Sequence, residues 1–300
     1  MSTPQFSVVI PAFNRAHMLP MAIASIQAQT VQDFEIIVVD DGSSDNTQDA
    51  VEKLGDNRIH YIFQDNAGAN LARNNGISCS RGKYVALLDS DDKFLPHHLE
   101  TAAKTLGDDK AAYFARVIAD RGGGRTFLKP PRGPRPNEPL SEYLCCDMGF
   151  VQTSTLVLHH SVAKEIQYLD WLPYGQDVDY ALRIIAAGYD LRYADQADAV
   201  WNDIQNGRRI SSGSRGPIRD RWAEENSHLL TKRALAGFRG WRSAKAYAEG
   251  GEMLKGLKLF ARAAATGAYP PKHAARVFLQ VALANGGYQK IAGLLFKSGK

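Results

Sequence analysis

Cysteine is nearly absent: Cys79, Cys145 and Cys146 are the only three in a chain of 300 residues. An odd number without a CxxC pair supplies neither a disulfide framework nor a structural zinc site, and it suits a reducing compartment. Long apolar runs are missing too. No window approaches the roughly 18–20 uninterrupted apolar residues of a membrane span, and the stretch Met1 to Phe6 lacks the basic start and apolar run of a signal peptide. A cytoplasmic location is the expectation. Several catalytic devices are absent as well. Without GxGxxG after the first apolar run, and without GxxxxGK[ST], HExxH or GxSxG, the chain is a poor candidate for a dinucleotide oxidoreductase, a P-loop phosphotransferase or a hydrolase built on those motifs. What is present is ordinary globular material, 44% hydrophobic and 23% charged, enough for one large α/β domain and an appendage.

The formal net charge of +4 conceals a division. From Arg221 to Lys300 there are 14 Lys and Arg against 4 Glu and no Asp, a net of +10, which leaves 22 minus 28, or −6, for residues 1–220. The basic tail suggests an anionic partner such as a membrane or nucleic acid, with a solvated helical face as the competing explanation. Within it Met253, Leu254, Leu257, Phe260, Ala261 and Ala264 share one helical face, and Lys255, Lys258 and Arg262 another.

The first hundred residues alternate short, continuously apolar β-type runs with helical stretches. The runs are Phe6–Ile10, Phe34–Asp40, Arg58–Phe63 and Tyr84–Asp89, and the helices Leu19–Gln29, Thr47–Leu54 and Ala69–Cys79. Continuous hydrophobicity marks strands buried on both faces, so the order predicts a doubly wound, mostly parallel sheet. In such sheets ligands bind beyond the carboxyl ends of the strands. Four polar clusters fall there: PAFNR, DDGSSDN, QDNAGAN and DSDD. The Gly-, Pro- and Arg-rich stretch from Asp120 to Pro139 reads as an irregular loop. A strand over Phe150–Leu158, a helix over Asp177–Ala187, a strand over Leu191–Trp201, a second loop over Asn202–Gly216 and at least three C-terminal helices complete the reading.

DSDD carries the strongest chemical signal. Asp89, Asp91 and Asp92 crowd the end of a buried strand, where unneutralised carboxylates are costly, and a divalent cation would relieve them. Magnesium or manganese takes one or two protein carboxylates and completes its shell with water and phosphate oxygens. Helix capping is the competing explanation. Asp40 and Asp41 end the second strand, where they can accept from a base imide or ribose hydroxyls, and Arg73 lies on a helix near the same edge, within range of a base or diphosphate. Asp177, at a helix start, is either a cap or a general base for an attacking hydroxyl.

Taken together, VVIPAFNR, VVDDGSSDNT, NAGANLARNNGI, GKYVALLDSDD and QDVDYALR resemble glycosyltransferase family 2 over residues 6 to about 201. The resemblance implies a GT-A fold and an inverting transferase that uses a nucleotide sugar, UDP-linked by preference, with Mn2+ or Mg2+. By that similarity Pro11, Ala12, Phe13 and Asn14 line the nucleotide pocket, Asp40 reads the base with Asp41 beside it, and Arg73 sits near base or phosphates. Asp89 and Ser90 complete the donor contacts, Asp91 is the central metal carboxylate flanked by Asp89 and Asp92, and Asp177 is the catalytic base. Two departures stand out. Gln176 precedes Asp177 where relatives often have Glu, and Trp201, Asn202 and Asp203 stand where a His is common, so the Asn202–Gly216 loop with Arg208 and Arg209 is expected to cover the diphosphate.

The expected layout is a catalytic domain over residues 1–216, with donor binding in 1–110 and the acceptor and base region in 145–205, followed by a basic helical subdomain over 217–300. The acceptor class implied is a saccharide or lipid-linked saccharide in surface polysaccharide biosynthesis, with peripheral contact on the cytoplasmic face of the inner membrane through the basic helices. A non-catalytic nucleotide-sugar-binding scaffold is the alternative. Nucleic acid is not an expected partner, because no groove-reading or stacking motif accompanies the basic tail.

Overall fold

The protein is described by a computed structural model covering residues 3–204 and 215–284. Among these, residues 3–133 with 150–204 form one compact unit and residues 134–149 with 215–284 a second. The segment 134–149, placed with the catalytic region from sequence, thus groups with the C-terminal helices.

The first unit is built on nine strands: β1 Phe6–Ala12, β2 Phe34–Asp41, β3 Ile59–Gln64, β4 Tyr84–Leu87, β5 Lys93–Phe94, β6 Ala112–Asp120, β7 Thr126–Lys129, β8 Val157–His159 and β9 Leu191–Asn202. Their order is β3-β2-β1-β4-β8-β6-β9-β5, with β7 paired to β6. β1, β2, β3 and β4 are mutually parallel, β6 and β9 are parallel, and β8 runs antiparallel between β4 and β6. β1 and β2 are buried along their whole length, as continuous runs of Val, Ile and Phe require. Crossovers between the first strands are α1 Leu19–Gln27, α2 Thr47–Glu52 and α3 Ala69–Cys79. α3 lies against the sheet at Gly76, where an added Cβ would come within 2.4 Å of Val9 Cγ1. That close approach fixes the depth of the helix and hence the reach of its polar residues. α4 His98–Leu106 precedes β6; α6 His160–Glu165 and α7 Gln176–Ala186 follow β8.

Two expectations are corrected. The stretch from Asp120 to Pro139 is not irregular throughout: Thr126–Lys129 returns along Val117–Asp120 as a hairpin. Gly122, Gly123 and Gly124 all take positive φ, and this backbone, open to glycine at no steric cost, reverses the chain. The strand expected over Phe150–Leu158 is cut to its last residues, because a short 3-10 turn occupies Thr153–Thr155, where Gln152 accepts a bond from the Ser154 amide. Polar side chains that bond locally compete with the sheet ladder.

The second unit contains α5 Leu140–Cys146, α8 Gly216–Glu225, α9 Lys232–Phe238, a π-helical turn at Arg239–Ser243, α10 Ala244–Glu249, α11 Met253–Ala265 and α12 Pro271–Ala282. The buried side of α11 matches the expected one in part: Met253, Leu257 and Phe260 pack against the core of this unit, but the deepest positions are others. Gly256 and Ala263 face inward, whereas Leu254 is 75% exposed and Ala261 is exposed. Small residues win the interior because the helices approach closely: a Cβ on Gly256 would sit 2.5 Å from the Ala244 carbonyl oxygen. Cys145 and Cys146 are buried, as expected for thiols without a redox role, and Cys79 is exposed.

Candidate active site

The polar clusters do gather at the carboxyl ends of β1, β2 and β4. Pro11 and Ala12 close β1 in buried positions, and Phe13, 40% exposed, follows them. Asn14 takes φ 53°, a left-handed conformation that Asn tolerates better than most residues. Its side-chain oxygen accepts from the amides of Ser44 and Asp45 at 2.8 and 3.3 Å, and its own amide donates to Ser43 Oγ at 2.7 Å. The loops after β1 and β2 are thereby tied into one rim.

Asp40 is buried, with Oδ1 accepting from the Ser43 amide at 2.8 Å and Oδ2 from the Tyr61 hydroxyl at 2.6 Å. Asp41, expected beside it as a ligand contact, is likewise engaged by protein donors. Its oxygens accept from Gln64 Nε2 and from the amides of Ala67 and Gly68, each at 2.8 Å, so it fastens the turn that opens α3.

On α3, Arg73 is almost wholly buried and gives Asp89 Oδ1 a 2.6 Å ion pair. Arg73 Nε has no partner among the described residues. The expected triplet Asp89, Asp91 and Asp92 is divided. Asp92 turns into the protein and accepts from Gln152 Nε2 at 3.0 Å, Ser154 Oγ at 2.6 Å and the Asn202 amide at 2.8 Å. Burial and then the charges of Asp89 and Asp91 push its carboxyl well above the usual range, against the bonds from Ser154 and Asn202. Asp91 accepts no hydrogen bond from another residue among those described, and burial followed by the charge of Asp89 raises its proton affinity against the pull of Arg15 and Arg73. Ser90 between them is buried. No group of three or more His, Cys, Asp or Glu is gathered for a metal among the described residues.

Asp177 lies in the first turn of α7 and comes to the same cluster. Thr153 Oγ1 donates to its carboxylate, which lies within electrostatic range of Asp89 and Arg73. Burial lifts its pKa to about 6, with Asp89 adding to the rise and Thr153 and Arg73 opposing it. A carboxylate so placed is ionised at neutral pH yet retains appreciable basicity.

Sequence reasoning missed the turn Gln152–Thr155, which serves both acids: Thr153 holds Asp177, while Gln152 and Ser154 hold Asp92, and Ser154 Oγ also accepts from the Asp89 amide at 3.1 Å. Four successive residues capable of side-chain hydrogen bonding, in front of an apolar strand, were the available signal. Arg208 and Arg209, expected to cover a diphosphate, lie outside the described residues.

The sequence model of Glycosyl transferase family 2 matches residues 7–166. The amylovoran biosynthesis glycosyltransferase AmsB of Erwinia amylovora is 27% identical over 269 residues, 86% of this chain and 89% of that protein. The GalNAc(5)-diNAcBac-PP-undecaprenol beta-1,3-glucosyltransferase of Campylobacter jejuni is 40% identical over 124 residues, 40% of each chain. Among solved structures, S. aureus TarS in complex with UDP-GlcNAc superposes with a TM-score of 0.62 at 19% identity, covering 93% of this chain and 81% of that one. The mannosyltransferase PcManGT of Pyrobaculum calidifontis, in complex with GDP-Man and Mn2+, gives a TM-score of 0.56 at 18% identity, covering 97% and 83%. These likenesses show the fold, which is the GT-A arrangement expected from the motifs.

Proposed function

This chain belongs to glycosyl transferase family 2, and from that premise we propose that it is an inverting transferase carrying a sugar from a nucleoside diphosphate, UDP foremost, to an acceptor hydroxyl. The observation that carries the reading is the convergence of Arg73, Asp89 and Asp177 at one strand edge, with Asp177 basic enough to take a proton. Asp177 removes the hydroxyl proton as the acceptor oxygen bonds to the anomeric carbon. The carbon–oxygen bond to the diphosphate breaks on the opposite face, and its electron pair leaves with the nucleotide. Asp40, with Pro11, Ala12, Phe13 and Asn14, forms the base and ribose end of the pocket, with Ser90 beside Asp89 on the donor side. Asp41 and Asp92 belong to the frame.

A divalent cation fits Asp91, supported by Asp89, because a carboxylate short of donors beside a second negative charge is relieved by a positive ion. Two protein carboxylates are enough for Mn2+ or Mg2+ when phosphate oxygens supply the remainder, and the ion's chemistry is to offset charge on the departing diphosphate. The complex of PcManGT with GDP-Man and Mn2+ supports this reading. The test is release of nucleoside diphosphate from a panel of nucleotide sugars in manganese. One donor should be consumed well above the rest, and silence across the panel would contradict a transferase.

We further propose a lipid-linked saccharide as acceptor, a class named in the C. jejuni relative, with the smaller unit meeting the membrane peripherally on its cytoplasmic face. Residues 253–282 contain Lys255, Lys258, Arg262, Lys272 and Arg276 and no Asp or Glu, and Leu254 projects from among them. Cations near an anionic surface contribute about 1 kcal/mol each. Flotation with anionic liposomes should occur and weaken as salt rises. Absence of flotation at low salt would refute the contact.

A further inference from the structure

α3 holds more than Arg73. Asn70, Arg73 and Asn74 are spaced i, i+3 and i+4, so they share one face of the helix. Arg73 reaches toward β4 and pairs with Asp89. The two asparagines reach in another direction, to the segment 168–172 that leads into α7 and Asp177. Asn70 Nδ2 donates to the carbonyls of Leu169 and Leu172 at 2.8 and 2.7 Å, and its oxygen accepts from Arg73 at 3.2 Å. Asn74 grips Tyr168 at both ends of its amide, donating to the carbonyl and accepting from the amide, each at 2.8 Å.

Tyr168 passes this constraint to the helix that carries Asp177. Its ring stacks on Tyr180 with centroids 4.1 Å apart and planes 7° from parallel, and the Arg73 guanidinium lies 5.3 Å from its centroid. Tyr180 is three residues along α7 from Asp177, on the neighbouring turn. Every polar atom of both asparagine side chains' working ends is thus spent on the Asp177 side or on Arg73, and no other residue type of that length offers a donor and an acceptor together.

We infer that Asn70 and Asn74 are positioning residues, through which one helix face sets Asp177 at a fixed distance from the donor-side pair Arg73–Asp89. The inference rests on the reading of Asp177 as the base. It adds that α3 registers the acceptor half of the site against the donor half, and that the asparagines act through Asp177 rather than on the substrate. A shift of about 1 Å in a reacting group is enough to cost on the order of a hundredfold in rate.

The experiment uses the full chain and UDP-GlcNAc, with water in place of the acceptor, and follows UDP release in manganese. Asn74→Ala should lower kcat by about 10- to 100-fold and leave KM for the donor within about twofold. Made in an Asp177→Asn background, the same change should have less than about a twofold effect, because a residue that acts through the base has nothing left to position. Asn74→Asp, which keeps the bond from the Tyr168 amide and loses the donor, should fall between wild type and Asn74→Ala, and serves if the alanine variant does not fold. Equal losses in both backgrounds, or no loss in the wild-type background, would overturn the inference. If wild type releases no UDP from this or any other donor while the fold is intact, it is the transferase reading that has failed.

Discussion

Asp177→Asn should cut turnover by about 10²–10⁴, the range for a lost general base, while donor affinity stays within a few-fold of wild type. The carboxylate is held by Thr153, whose hydroxyl can donate equally to an amide oxygen, so the substitution removes basicity and leaves the geometry in place. The pH dependence follows from the same residue. The base works ionised, and burial first, then Asp89, places its pKa at about 6. Wild-type kcat/KM should therefore be level above that pH and fall about tenfold per unit below it, whereas the variant's residual rate should lose this limb. Stability moves the other way. A folded pKa raised above the ordinary 3.8 means that the native state binds the proton more tightly, so ionised Asp177 destabilises the fold at pH values above about 6 and the cost vanishes as pH falls below the unfolded value. Asp177→Asn should melt no lower than wild type at pH 7.5. Steady-state kinetics across pH 5–8, with calorimetric donor binding, checks the claim, and a collapse of donor affinity would move Asp177 out of the role of base.

Much of this site was legible in sequence because the chemistry is concentrated where apolar runs stop. Continuous runs such as Phe34–Asp40 identify buried parallel strands whose ends converge, so Asp40, Arg73 and Asp91 could be placed at one edge from position and residue type, whereas Asp177 read equally as a helix cap and became a candidate base only through the family resemblance. What each carboxylate does could not be read that way. Asp92 has the same side chain and the same neighbourhood in sequence as Asp91, yet it is taken by Gln152, Ser154 and Asn202, and of the neighbouring pair Asp40 is held by Ser43 and Tyr61 while Asp41 fastens the turn at Ala67–Gly68. The partners of Asp92 come from 60 to 110 residues away, and nothing local announces them. The hairpin of β6 and β7 was hidden for a different reason: Gly122–Gly124 mark a break in any pattern, and only the register with Val117–Asp120 reveals that the break is a turn. In α11 the hydrophobic pattern located Met253, Leu257 and Phe260 on the packed side but missed that the deepest contacts belong to Gly256 and Ala263.

The second large effect is expected at Asp91. Asn at this position is nearly isosteric and removes one negative charge from a crowded acidic edge, so the fold should survive and the cation should be lost. Burial and Asp89 already disfavour the ionised form of Asp91, and in the proposed complex a divalent ion reverses that balance by coordinating it. Loss of the ion removes the neutralising charge from the diphosphate, and metal-supported affinity should drop by at least tenfold, since each 1.4 kcal/mol of lost interaction is worth that factor. Asp92→Asn is a useful contrast, because its partners are protein donors and its effect should appear in thermal stability. Calorimetric titration of UDP into wild type and Asp91→Asn, with manganese and with chelator, measures this most directly. Wild type should bind UDP tightly in manganese only, and the variant weakly and independently of metal. Equal affinity of the two proteins in manganese would contradict a metal-assisted donor site at Asp91.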